Sequence, residues 1–137
     1  VSELLARITV VGKTEVNNTF WRIRQLCVPD TFQDFRLVAL TDNGCALIQL
    51  DFEMEVRELD FFAPNFTPVT GAFLPGGRFV VASRDEVKLF HISKAGAFYQ
   101  KSLENGSDAR RLAILPVSDR DRCAILDAWG EMRVYEI

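Results

Sequence analysis

Residues 78–91 carry the pattern on which the rest of the chain is built. Phe79-Val80-Val81-Ala82 is an unbroken apolar run, Ser83-Arg84-Asp85 interrupts it, and Val87-Lys88-Leu89-Phe90 then alternates up to His91. A short apolar run bounded by turn residues suits a strand buried on both faces. An alternating run suits a half-buried neighbour whose side chains point in and out by turns. Together they predict a β-hairpin. The same hairpin recurs on either side. Leu37-Val38-Ala39-Leu40-Thr41 leads through Asp42-Asn43-Gly44 into Leu47-Ile48-Gln49-Leu50-Asp51. Cys123-Ala124-Ile125-Leu126-Asp127 leads through Ala128-Trp129-Gly130 into Met132-Arg133-Val134-Tyr135-Glu136. Gly, Asn and Asp in these turns supply the positive φ angles that tight hairpins need.

The flanking patterns recur as well. Upstream of each hairpin lies a short apolar strand closed by proline: Leu26-Cys27-Val28-Pro29, Ala72-Phe73-Leu74-Pro75 and Ala113-Ile114-Leu115-Pro116. Proline removes a ladder donor and turns the chain. The steps from Pro29 to Pro75 and from Pro75 to Pro116 are 46 and 41 residues, the size of a four-stranded repeat unit. Downstream, residues 55–60 and 97–103 read as more polar fourth strands, and residues 3–10 read alike. Charged strands of this kind suit an outer sheet edge. Asn17-Asn18-Thr19, Asn65-Phe66-Thr67 and Asn105-Gly106-Ser107 fall in the links between a fourth strand and the next first strand. Each matches the N-glycosylation acceptor pattern. With no disulfide framework beside them, Asn and Ser/Thr capping their own turns is the preferred reading.

On these residues the unit resembles a divergent WD40 repeat over nearly the whole chain. Ser83-Arg84-Asp85 followed by Val87-Lys88-Leu89-Phe90-His91 is similar to the family's Ser-x-Asp turn and the strand closed by Trp-Asp. Leu50, Phe90 and Tyr135 stand where that Trp would be; Asp51, His91 and Glu136 stand where its Asp would be. The chain has no Trp-Asp dipeptide and no Gly-His pair, so the family's hydrogen-bond network is not carried over. The resemblance implies an all-β fold, a β-propeller of four-stranded antiparallel blades. About three blades fall in this chain, a single partial domain over residues 1–137. The units run roughly 20–62, 68–104 and 109–137, the last completed by a strand at 2–11. Propellers ordinarily have four to eight blades. The expectation is a segment of a longer propeller, with assembly of two copies into a six-bladed ring as the alternative.

Composition narrows the function. The 48% hydrophobic and 26% charged residues are those of a folded globular chain. A net charge of −3 without a basic segment argues against nucleic acid as a partner. No apolar run approaches the roughly 20 residues of a membrane helix. Cys27, Cys45 and Cys123 are odd in number and widely spaced. They read as small buried hydrophobes and point to an intracellular location, cytoplasmic or nuclear, rather than secretion.

No catalytic pattern is present. The single histidine, His91, has no second histidine or Cys-carboxylate cluster to share a metal. There is no Gly-x-Ser-x-Gly elbow, and Gly76-Gly77 is not followed by a helix pattern that would cradle phosphate. The chain is therefore expected to be non-enzymatic, without cofactor or metal, a scaffold for other proteins. Those partners include further blades, in cis or from another chain. The propeller resemblance places Asp42, Asn43, Asn65, Phe66, Arg84, Asp85 and Trp129 on one face as candidate partner contacts. Aromatics and Arg dominate binding energy at such faces. Two rivals stand beside this reading. One is a segment of an enzymatic or glycan-binding propeller with its active groups in other blades; the other is a structural subunit that closes a ring.

Overall fold

The computed structural model describes residues 11–13, 18–20, 22–29, 36–51, 53, 56–64, 66–105, 111–117 and 121–137. The fold is all-β and antiparallel. Strand β1 (Val11–Lys13) pairs with β2 (Asn18–Phe20) in a small hairpin of its own. Three larger sheets then follow in chain order. The first contains β3 (Ile23–Cys27), β4 (Arg36–Thr41), β5 (Gly44–Leu50) and β6 (Val56–Phe62), each beside its sequence neighbour. The second repeats this with β7 (Thr70–Leu74), β8 (Arg78–Ala82), β9 (Glu86–Ser93) and β10 (Gly96–Asn105). The third has β11 (Arg111–Pro116), β12 (Arg122–Asp127) and β13 (Met132–Glu136). Among the described residues no helix is long and apolar enough to cross a membrane.

The three expected hairpins are β4–β5, β8–β9 and β12–β13, and their registers superpose position by position. Leu40 opposes Cys45 and Val38 opposes Leu47. At the same places Ala82 opposes Val87 and Val80 opposes Leu89; Leu126 opposes Met132 and Ala124 opposes Val134. Because side chains alternate between faces, these positions define one face of each sheet, here the leading face. The intervening positions define the trailing face: Leu37, Ala39, Ala46 and Ile48, then Phe79, Val81, Lys88 and Phe90, then Cys123, Ile125, Arg133 and Tyr135.

The first and second sheets each pack by their leading face on the trailing face of the next. Val38, Leu40, Cys45, Leu47 and Phe62 meet Phe79, Val81, Phe90 and Ile92 in one buried cluster. Val80, Ala82, Val87, Leu89 and Leu74 meet Ile114, Cys123 and Ile125 in a second. The trailing face of the first sheet, with Leu37, Ala39, Ala46, Ile48 and Leu50, is buried too. Equivalent strands lie side by side across the boundaries: β3 beside β7, β7 beside β11, and β6 beside β10. Gly71 makes room for the Phe79 ring of its own sheet, since a Cβ there would come within 2.9 Å of that ring and 3.5 Å of Leu40 across the boundary. The Cys27 thiol donates to the Gly71 carbonyl at 3.4 Å across the same boundary. Edge-on contacts of Phe62 with Phe79 and Phe90, centroids 6.3 and 5.0 Å apart, fill the centre of the first interface.

Several details differ from expectation. Strand β10 extends to Asn105, because two bulges let it stay paired with β9 along its length. Pro116 closes β11 as its last residue, opposite Cys123, whereas β3 and β7 stop at Cys27 and Leu74, short of their prolines. Asn18 and Thr19 belong to β2, paired with Lys13 and Gly12, and not to a link between sheets. The strand expected at 3–10, most of the segment 2–11 and Asn65 lie outside the described residues.

Candidate functional site

The turns joining the second and third strands of each sheet hold most of the candidate contacts. Each is built on a buried polar residue at the end of an apolar strand: Thr41, Ser83 or Asp127. The Thr41 hydroxyl donates to the Gly44 carbonyl at 2.7 Å and accepts from the Asn43 amide at 3.2 Å. Ser83 Oγ accepts from the amides of Asp85 and Glu86 at 3.3 and 3.2 Å. Asp127 Oδ1 accepts from the amides of Trp129 and Glu131 at 2.9 and 3.1 Å. Short polar side chains that accept from backbone a few residues on are the standard device for fixing such turns. Inward anchoring leaves the intervening residues facing solvent.

Asp42, Asn43, Arg84, Asp85 and Trp129 are accordingly exposed, Trp129 at 74%. Asp42 also braces the entry to β3: its Oδ1 accepts from the Arg22 amide at 3.2 Å, and its own amide donates to the Arg22 carbonyl at 3.1 Å. Phe66 does not belong to this surface. It is 6% exposed and sits in the cluster between the first and second sheets. The Lys88 ammonium lies 4.9 Å above its ring and 5.9 Å from that of Tyr99. An apolar ring with an adjoining interior is worth more buried than offered to a partner.

A polar network joins the second sheet to the third, and the sequence pattern does not announce it. Arg133, on the trailing face at the position equivalent to Lys88, donates from Nη1 to Asp127 Oδ2 at 2.8 Å. Its Nη2 reaches Glu104 Oε2 on β10 at 3.1 Å. Nε of Arg133 and the Tyr135 hydroxyl both donate to Glu104 Oε1. The Arg133 hydrogen bond holds the Asp127 carboxyl below its ordinary range; desolvation works against it, and the amides of Glu131 and Trp129 assist. Burial, helped by Glu104, raises the Tyr135 phenol. The signal that could have found this network is the charge pair Glu104 and Arg133 placed on strands otherwise facing a core.

Little else has chemical potential. Burial pushes the thiols of Cys27 and Cys45 up to about 12 and that of Cys123 to about 11, so all three are inert. Among the described residues no group of three His, Cys, Asp or Glu side chains is placed to hold a metal ion. His91 lies in β9 opposite Arg78, beside the turn between β7 and β8, its ring 3.5 Å from where a Cβ on Gly77 would be.

No family model matches the sequence, and no curated protein matches it. Among solved structures the chain is similar to PorZ, described as an essential bacterial surface component of the type-IX secretion system of Porphyromonas gingivalis. The TM-score is 0.47 and the identity 11%, over 87% of this chain and 16% of that one.

Proposed function

We propose that the chain is a segment of a WD40-like β-propeller and serves as a non-catalytic scaffold for other proteins. The observation that carries this reading is the repeat itself. Three antiparallel sheets follow one another in chain order, and the first two bury their leading faces on the equivalent trailing face of the next. Stacking by equivalent faces is how radially repeated sheets protect their edges and interiors. In such a propeller the turns between second and third strands would project from a common side, and Trp129 in the third of them is 74% exposed. An exposed Trp with Arg84 and two carboxylates nearby in the repeat suits recognition of a protein surface.

The test uses the full gene product in quantitative affinity purification from its own cells. Trp129→Ala and Arg84→Ala should each reduce recovery of a specific partner about tenfold or more. Neither should shift unfolding free energy by more than about 0.5 kcal/mol, as for ordinary surface positions. Unchanged recovery with both variants would refute the assignment of this surface; a large stability loss in both would assign the residues to the fold.

A further inference from the structure

We infer that the leading face of the third sheet is a docking surface for a further antiparallel β-sheet, supplied by polypeptide outside these 137 residues. The inference rests on the stacking reading above and names the place where the stack continues. The leading faces of the first two sheets are covered; their counterpart in the third is open. Leu115, Met132 and Val134 are 52, 60 and 54% exposed there, around the register positions of Ala124 and Leu126. The face is apolar across its centre, and its charges, Arg122 and Glu136, pair with each other at its margin, 3.9 Å apart. Beside it, β13 has one described neighbour, whereas β5 and β9, its counterparts, are each paired on both sides.

Continuity with the two interfaces already formed fixes the occupant. Val38 and Leu40 receive Phe79 and Val81; Val80 and Ala82 receive Cys123 and Ile125. Ala124 and Leu126 should receive the same kind of trailing face, made of branched or aromatic residues on the second and third strands. A second copy of this chain has no such face to offer. Its first trailing face, with Ala39, Ala46 and Ile48, is already buried, and the other two are inside the stack. Among the described residues the outer edge of β13 is unpaired, and its backbone donors and acceptors are ones a fourth strand would satisfy, as β6 and β10 do for their sheets.

Photo-crosslinking of the full gene product, expressed in its own host with benzoylphenylalanine at Val134 or, separately, at Leu115, tests this. Circular dichroism verifies folding of each variant, and either site alone is sufficient. The expected result is a crosslink, mapped by peptide sequencing, to apolar residues in a strand outside residues 1–137. Crosslinks to residues 1–137 with doubled mass would show that a second copy is the occupant, overturning the inference. Crosslinks within the same 137 residues, crosslinks to a helix, or a probe quenched by water would overturn it as well. Failure of the scaffold reading shows instead at Trp129 and leaves the crosslink unchanged.

Discussion

Thr41, Ser83 and Asp127 occupy one position in three hairpins and do one job with three different chemistries. Only the third is a charge, so only in the third hairpin is the turn anchor itself acid-sensitive. The folded Asp127 carboxyl is held below its ordinary value of 3.8. A depressed carboxylate contributes stability that is present above its unfolded pKa and lost as pH falls through the folded one. The urea midpoint should therefore fall as pH drops below about 4, and Asp127→Asn should flatten that acid limb. An unaltered limb in the variant would show that the carboxylate is not stabilised as its contacts imply. Gly44 is the sharpest backbone constraint in the same turns. Its φ is +123°, and a Cβ would lie 2.8 Å from the Ala63 carbonyl oxygen. Gly44→Ala should cost about 1–3 kcal/mol from backbone strain alone, visible as a fall of several degrees in Tm. The sequence discloses Gly44 through its Asn-Gly turn, but not Phe66. A Phe after Asn in a link is apolar in either setting, and only the neighbouring sheet decides that it is buried.

Among elements, the hairpins and the fourth strands were legible, but the full length of β10 and the β1–β2 hairpin were not, for a physical reason. Strands such as Phe79-Val80-Val81-Ala82 are apolar at every position because both faces are covered, so composition alone marks them. β10 is mostly exposed, and its pairing is kept by bulges at Gln100 and Leu103 that no alternation reveals. The β1–β2 hairpin is three residues a side, too short to show a period. The cysteines give the elements a direct probe. Cys27 ends β3, Cys45 lies near the start of β5, and Cys123 lies in β12, all buried. Disulfide exchange with an aromatic reagent at pH 8 should find no thiol titrating in the folded chain and three after denaturation. Fast reaction of one thiol under native conditions would mean that its strand opens locally.

At the scale of the whole molecule, equivalent positions need not carry equal energy; what covers them decides. Leu40 and Leu126 share one register position on the leading faces of the first and third sheets. Leu40 is fully buried against the second sheet, while Leu126 borders the open face. Truncating a buried Leu removes its transfer free energy and leaves a cavity, a loss of about 2–5 kcal/mol. Leu126 is half-buried, so it has less apolar surface to lose and no closed cavity to leave, and the loss should be about 1–2 kcal/mol. Denaturant unfolding of Leu40→Ala and Leu126→Ala in the 137-residue chain should therefore differ by a few kcal/mol. Equal and large losses would mean that the leading face of the third sheet is already covered. When the same pair is made in the full gene product, a docked sheet should raise the cost of Leu126→Ala towards that of Leu40→Ala. A cost for Leu126→Ala that stays low there would mean the stack stops at β13, since burial is what turns a shared register position into a shared energy.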